Sequence, residues 1–499
     1  MTLKICQNLK PNTFEYENAP LITPNGFREY DARWLFGKEI NLLGVQALGL
    51  GLGIYFHELG VKPRVATGHD YRSYSLSIKQ ALILGLMNAG CEVVDIGLAT
   101  TPMAYFAQFA LDCPCVAVVT ASHNENGWTG VKMGANRPLT FGPDEIGRLK
   151  EIVLDGQGQP RAGGSYTLIE NFREPYLQEL AKGHKLSRPI KVAVACGNGT
   201  AGLFGPEALR RIGADVVEVD CNPDYTFPNY NPNTEDLHML HAMAAALRKS
   251  GAEIAVGFDA DGDRCGVVDD TGEEIFADKV GVLLARDLSA RFANAKFVAD
   301  VKSTGIFEID PVLKANGAAT DYWKTGHSYI KRRTTELNAL AGFEKSGHYF
   351  FRPPVGRGYD DGIVAGIAVL EMLDRAKGKT MSQLVAELPK TWGSPTMAPY
   401  CADDAKYAVV AAMTKKYEAA KARGEKILGQ SIRTLITVNG VRVVLEDGTW
   451  GLVRASSNKP SLVVVVESPV SDAQMRAMFA DLDARLKKHP EVGEYDQKI

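Results

Sequence analysis

The chain has 499 residues, enough for about three or four domains at roughly 100–200 residues each. Hydrophobic residues make up 45% and charged residues 23%, which excludes a chain that is disordered as a whole. With 56 Lys+Arg against 59 Asp+Glu the net charge is −3, without the basic excess that a dedicated nucleic-acid binder needs.

In chain order, the N-terminus MTLKICQNLKPN has no apolar core of the kind a secretory signal carries. Leu42–Phe56 is the most apolar stretch, but it contains Gln46 and four glycines and runs into His57-Glu58. It is shorter than the about twenty residues of a membrane span, so a buried helix is expected. From about residue 60 to 390, short β-branched runs alternate with segments of helical period, the pattern of parallel α/β sheets. Expected strands are Arg64–Thr67, Glu92–Ile96, Val116–Thr120, Lys191–Ala195, Val216–Asp220, Ile254–Phe258 and Phe297–Val301. Expected helices are Ser75–Asn88, Leu237–Lys249, Val280–Ala290, Asp361–Leu373 and Ala405–Ala422.

The last hundred or so residues differ. After a loop-like Trp392–Tyr400 and one helix, Ile432–Val438, Val441–Leu445, Gly451–Val453 and Leu462–Glu467 read as strands. Asn439-Gly440 and Asp447-Gly448 are hairpin turns by composition, and Asp472–Lys488 is a final helix. The expected domains are 1–163, 164–273 and 274–392, all α/β, and 393–499, α+β. The eight cysteines show neither a CxxC pair nor a His at zinc spacing, so free thiols in a reducing cytoplasm are expected.

Four loops carry reactive groups. Thr120-Ala-Ser-His-Asn124 follows the apolar run CVAVV, where open α/β sheets place ligands. Ser122 there is a nucleophile or a phosphate carrier, with His123, Asn124 and Lys132 near it, unless the loop is only a polar turn. Gly257-Phe-Asp-Ala-Asp-Gly-Asp-Arg264 sets Asp259, Asp261 and Asp263 within five residues. Three like charges so close need a cation, and oxygen ligands suit Mg²⁺ or Ca²⁺. An EF-hand is a poor fit, because Arg264 stands where that loop needs Gly and Asp270 where it needs Glu.

Gly342-Phe-Glu-Lys-Ser-Gly-His348 offers Glu344 and Ser346 as hydroxyl-binding groups and the charges of Lys345 and His348, unless it is only a surface turn. Arg454-Ala-Ser-Ser-Asn-Lys-Pro460, between two strands, has the fork, hydroxyls, amide and ammonium to grip a phosphate dianion, though a basic hairpin loop is an equal reading. A competing motif is Gly197-Asn-Gly-Thr-Ala-Gly202 after the strand KVAVA, with Asp220 about twenty residues on, the formal marks of a dinucleotide site.

In this order TASHN with Lys132, DADGDR, EKSGH and RASSNKP resemble the motifs of the α-D-phosphohexomutase family, in its bacterial phosphomannomutase/phosphoglucomutase branch. Phe27–Arg33, Gly68–Arg72, Gly197-Asn-Gly199, Phe227-Pro-Asn229, Trp323–Ser328 and Asp360-Asp-Gly362 also fall in family order, so the resemblance covers nearly the whole chain. It turns Gly197-Asn-Gly199 into a structural turn and removes most of the oxidoreductase reading. It implies three similar mixed α/β/α domains and a TATA-binding-protein-like α+β domain around a central cleft.

The resemblance further implies Ser122 as the phosphoserine, and Asp259, Asp261 and Asp263 with the Ser122 phosphate as Mg²⁺ ligands. Glu344 and Ser346 would bind sugar hydroxyls, and Arg454, Ser456, Asn458 and Lys459 the non-reacting phosphate. Tyr30, Arg33, Lys132, Arg264, Lys302, His327 and His348 would line the cleft, with Arg33, Lys132 or His327 as the base and His123 on the phosphate. The implied activity interconverts hexose 1-phosphate and 6-phosphate of mannose or glucose, with glucose 1,6-bisphosphate as activator and intermediate. The partner is a small phosphosugar, without nucleic acid or membrane. A phosphoglucosamine mutase is the nearest alternative, and a non-catalytic phosphosugar binder a distant one. The sequence departs from the family at Trp34, His69, Lys345 and Ser457-Asn458. It lacks the Gln and the Gly that mark phosphoglucosamine mutases, which favours hexose.

Overall fold

The computed structural model describes residues 5–457 and 459–499. The chain forms two units, Met1–Ala277 with Ser346–Ser382, and Asp278–Lys345 with Gln383–Ile499.

The first unit holds two sheets. One runs in the order Ala32–Leu35, Trp128–Gly134, Cys115–Val119, Arg64–His69, Glu92–Leu98, Ser165–Leu168. Arg64–His69 pairs in parallel with both Glu92–Leu98 and Cys115–Val119, whereas Trp128–Gly134 returns antiparallel to Cys115–Val119. Every residue of Cys115–Val119 is buried, as a strand covered on both faces requires, and its apolar run CVAVV meets that demand. The segment read as a buried helix is one, over Leu42–Glu58, with the Asn41 side chain accepting the Gly44 N–H at its start. Glycines on both helices let it lie directly on the helix Ser75–Asn88: a Cβ on Gly49 would stand 2.3 Å from the Leu82 carbonyl oxygen, and one on Gly85 2.1 Å from the Gln46 carbonyl oxygen. Among the described residues no helix is long and apolar enough to cross a membrane.

The other sheet runs Glu274–Ile275, Cys265–Val268, Ile254–Phe258, Lys191–Ala195, Asp215–Val219, parallel except where Cys265–Val268 joins its neighbours. The helix Leu237–Ser250 covers it and ends at Gly251, whose φ of +66° is the left-handed cap that glycine adopts without a Cβ penalty. The helix Gly362–Arg375 begins where the Asp361 carboxylate accepts the N–H groups of Ile363 and Val364. Its Gly366 lies against the ring of the buried Phe258, the last residue of the strand Ile254–Phe258.

The second unit has parallel strands Ala319–Trp323, Lys296–Asp300 and Ala341–Phe343. It also has an antiparallel sheet in the order Trp392–Gly393, Leu462–Ser468, Trp450–Ala455, Val441–Leu445, Ile432–Ile436. The helices Lys406–Ala422 and Asp472–Leu486 share one core with that sheet, Met413 and Tyr417 from one and Met478 and Leu482 from the other meeting Val443, Val453 and Val464. Both predicted hairpin glycines, Gly440 and Gly448, have positive φ. Trp392–Gly393, expected as loop, is instead a short strand on Leu462–Ser468. No β-branched run announces it, because the pairing comes from the partner strand.

Candidate active site

Ser122 stands just beyond the strand Cys115–Val119 with φ of +53°, a left-handed backbone that a non-glycine residue holds only when its surroundings enforce it. Those surroundings are visible. The Ser122 N–H donates to Thr120 Oγ1 at 2.9 Å, and Arg72 Nη2 donates to the carbonyl oxygens of Ser122 at 2.9 Å and Asn124 at 2.6 Å. Arg72 is itself paired with the buried Asp70, whose Oδ2 accepts the Ala121 N–H. The Asn231 side chain donates to the His123 carbonyl, so the second sheet also grips this loop. The Ser122 hydroxyl, 1% exposed as a residue, lies 3.2 Å from His123 Nδ1. Burial, with Arg264 and Arg33 near, pushes the His123 imidazole well below its ordinary value, so it is neutral.

Asp259, Asp261 and Asp263 follow the strand Ile254–Phe258 and are fully buried, each offering one carboxylate oxygen within 4.8 Å of the others. Lys132 Nζ sits 2.9 Å from Asp261 Oδ2 and also bonds Asp263 Oδ2. Thr101 and Thr120 hydroxyls complete the shell of Asp261 Oδ2, and the Arg264 N–H donates to Asp259 Oδ1 at 3.1 Å. The opposite oxygens, Asp259 Oδ2 and Asp261 Oδ1, are buried without a hydrogen-bond partner among the described residues. Asp263 Oδ1 stands 3.4 Å from His348 Nε2. Buried carboxylate oxygens cost dearly when unpaired, and three converging ones are the hard donor set of Mg²⁺ or Ca²⁺. The residues fit a divalent cation.

The electrostatics agree. Burial first, then the charges of Asp263 and Asp261, pushes Asp259 well above the usual carboxylate range. Burial also pushes Asp263 up, but Lys132, His348 and Arg264 outweigh it and hold it well below. For Lys132 burial is outweighed by Asp261 and Asp263, which raise it and keep it a cation.

Other predicted residues of this unit lie close by. Arg264 Nε is 3.4 Å from His348 Nε2, and Ser346 Oγ is 3.2 Å from His348 Nδ1. Arg33 bonds Asp31 through Nε at 2.8 Å and Asn124 Oδ1 through Nη1 at 3.0 Å, and Tyr30 is buried nearby in sequence. In the second unit, Glu344 Oε1 accepts the Gly326 N–H beside His327, and both side chains are buried. Lys302 is buried, and its charge partly offsets the burial that raises Asp300. Arg454, one residue before the end of the strand Trp450–Ala455, has Nη1 on the Ala455 carbonyl and Nε without a hydrogen-bond partner among the described residues. Ser456 is half-buried and Lys459 exposed, and Asn458 lies outside the described residues.

The glycine motif 197–202 is filled by the protein itself. A Cβ on Gly199 would stand 2.7 Å from Ala260 Cα, and one on Gly202 1.9 Å from the Cys221 carbonyl oxygen. Thr200 N donates to the Ala260 carbonyl at 2.8 Å, so the turn braces the loop of Asp259, Asp261 and Asp263 and leaves no room for a pyrophosphate. Of the departures, Trp34 donates its indole N–H to the Thr23 carbonyl over Gly26, and Lys345 turns to Asp278 at 3.5 Å. The residues that sequence reasoning left without a role are Arg72, Asp70, Thr101, Asn231 and Asp360, the last 3.9 Å from His348 Nε2. Asp70 and Arg72 lie in the Gly68–Arg72 match and Asp360 in the Asp360-Asp-Gly362 match, which gave their place but no role, whereas Thr101 and Asn231 carried no signal.

Four family models match the chain in order: phosphoglucomutase/phosphomannomutase alpha/beta/alpha domain I over residues 24–159, domain II over 174–272, domain III over 276–392, and the C-terminal domain over 401–485. The chain belongs to the phosphoglucomutase/phosphomannomutase family. Relatives include a phosphomannomutase/phosphoglucomutase of Pseudomonas putida, 32% identical over 92% of this chain and 95% of that one. A phosphoglucomutase of Neisseria gonorrhoeae is 33% identical over 91% of this chain and 95% of its own. Among solved structures, a phosphoglucomutase/phosphomannomutase family protein of Burkholderia thailandensis superposes with TM-score 0.84 at 30% identity, covering 95% of this chain and 99% of that one. An N-acetylphosphoglucosamine mutase of Aspergillus fumigatus, at 14% identity and TM-score 0.52 over 85% of this chain and 77% of its own, shares the fold alone. The four-domain order of this family, three α/β/α domains and a C-terminal one, is the architecture of this chain.

Proposed function

We propose that the protein is a phosphosugar mutase that interconverts hexose 1-phosphate and 6-phosphate of mannose, glucose or both, with Ser122 as the phosphoryl carrier. The carrying observation is the Ser122 hydroxyl on an enforced left-handed turn, in a unit where Lys132 and three converging carboxylates are buried together.

Phosphoryl transfer depends on positioning and on neutralising the equatorial oxygens. The bond from phosphorus to Ser122 Oγ breaks as one forms to a sugar hydroxyl, whose proton passes to a base. The resulting 1,6-bisphosphate turns and returns its other phosphate to Ser122, exposing the isomeric monophosphate. Lys132 stays charged beside the reacting phosphate, and neutral His123 stands at hydrogen-bond distance from Ser122 Oγ. Arg33, Lys132 and His327 are the candidates for that base; Asp261 and Asp263 raise Lys132, and Asp31 raises Arg33, against the burial that lowers both. Asp259, Asp261 and Asp263 would hold Mg²⁺, which supplies further charge neutralisation when bound. Glu344 and Ser346 read the sugar, while Arg454, Ser456, Asn458 and Lys459 hold the phosphate that is not transferred. Free thiols at all eight cysteines agree with a cytoplasmic location.

Peptide mass spectrometry after incubation with glucose 1,6-bisphosphate and Mg²⁺ tests the carrier. One phosphoryl group on Ser122, absent from Ser122→Ala, is expected, and a modification elsewhere or none at all rejects the assignment.

A further inference from the structure

Lys406 opens the helix Lys406–Ala422 and is 3% exposed. Its ammonium donates to Asp403 Oδ1 at 2.7 Å, to the Ser456 carbonyl at 2.6 Å and to the Lys459 carbonyl at 3.1 Å. An ammonium has three N–H bonds, and all three are spent on protein acceptors. Two of those acceptors belong to the loop Arg454–Pro460. The loop is closed at its base by Ser456 N on the Ser461 carbonyl at 2.9 Å and Ser461 N on the Lys459 carbonyl at 2.8 Å.

We infer that Lys406 is a positioning residue of the phosphate-binding loop, which it holds by two carbonyl oxygens from the side away from the ligand. The inference rests on the reading that this loop grips the non-reacting phosphate of the substrate. In a planar trans peptide the C=O and N–H point in opposite directions. Anchoring the Ser456 carbonyl on Lys406 therefore turns the Ser457 N–H to the other face, where an anion can accept it. The same two bonds draw carbonyl oxygens, which repel a phosphate, away from that face. Lys406 also adds a cation behind a loop that already carries Arg454 and Lys459. The ring of Tyr407, 5.3 Å from Nζ at its centroid, packs beside this cation. Lys406 does not touch substrate, because none of its protons remains for it.

A phosphate held equally in ground and transition states affects KM and leaves kcat alone. The test is steady-state turnover of glucose 1-phosphate and mannose 1-phosphate by the full-length wild-type protein, Lys406→Met and Lys406→Arg, with thermal midpoints alongside. Lys406→Met should raise KM about tenfold, the scale of one charge-assisted contact, with kcat close to wild type. Lys406→Arg, which keeps a cation, should recover most of that loss. If Lys406→Met does not fold, Lys406→Gln takes its place under the same criterion. A folded neutral variant with wild-type KM, a loss confined to kcat, or an arginine variant no better than the neutral one overturns the inference alone. A wild-type protein that turns over neither hexose phosphate overturns the reading of function, and the inference with it.

Discussion

Lys132 and Asp261, 129 residues apart in the chain, form a buried ion pair with Nζ 2.9 Å from Oδ2. The same ammonium bonds Asp263, so one lysine from the first sheet neutralises two carboxylates on the second and leaves their other oxygens facing each other. This predicts opposite effects in Lys132→Met. Turnover falls by about 10²–10³, the usual loss when a preorganised charge is removed from a reacting group. Mg²⁺ binding, followed by calorimetry, tightens, because the lysine no longer competes for the carboxylates. A variant in which both weaken contradicts the arrangement.

Arg72 braces the Ser122 turn through two carbonyl oxygens, is paired with Asp70, and stacks 5.4 Å from the Phe227 ring centroid. A lysine has no fork to make these contacts together. Arg72→Lys is expected to lower kcat by about tenfold to a hundredfold, as misplacement of reacting groups does, with folding retained. Phosphorylation rate of Ser122 by the bisphosphate should fall in parallel, which separates this effect from product release.

Asp361 caps the helix Gly362–Arg375 and is buried; burial pushes its carboxyl up to about 7 despite the bonds it accepts from Val364, Tyr176 and Ile363. A carboxyl whose folded value is raised contributes stability that is present below its unfolded value and is lost as pH rises through the folded one. Ionisation of Asp361 therefore works against the fold progressively from about pH 4 to 7. Thermal midpoints of wild type and Asp361→Asn between pH 4.5 and 8 check the sign. The variant should gain on the wild type as pH rises, and a constant difference refutes the assignment.

Two glycines give contrasting outcomes. Alanine at Gly85 would place its Cβ 2.1 Å from Gln46 O and 2.6 Å from Leu50 N, both backbone atoms that cannot yield. Gly85→Ala is expected to cost about 1–3 kcal/mol by overpacking. Gly147, inside the helix Pro143–Leu154, has nothing within 4 Å of the same position, so Gly147→Ala should stabilise by about 1 kcal/mol through helix propensity. Denaturant titrations of both variants measure the difference.

Much of this was legible in the residues. Lys191–Ala195 and Ile254–Phe258 have the bounds their runs announced, because strands buried from Val192 to Ala195 and from Ile254 to Phe258 must be continuous in apolar residues. The spacing of Asp259, Asp261 and Asp263 announced carboxylates that would sit close together, as they do, and the left-handed glycines after hairpin strands declared the turns. What the residues could not announce is tertiary. Thr101 reaches Asp261 across 160 positions and Asn231 reaches His123 across 108, and neither contact has a local signal. The glycine motif at 197–202 has the spacing of a dinucleotide turn, and only the packing of Ala260 and Cys221 against it shows why it is not one.

In the proposed reaction, phosphate exchanges between two positions of one hexose through Ser122. A phosphorus NMR time course tests it most directly, with purified protein, Mg²⁺, trace glucose 1,6-bisphosphate and either mannose 1-phosphate or glucose 1-phosphate. At least one 1-phosphate resonance should decay into that of the 6-phosphate, without release of inorganic phosphate, and Ser122→Ala should leave it unchanged. Persistence of both 1-phosphates with wild-type protein, or equal conversion by Ser122→Ala, would contradict the account.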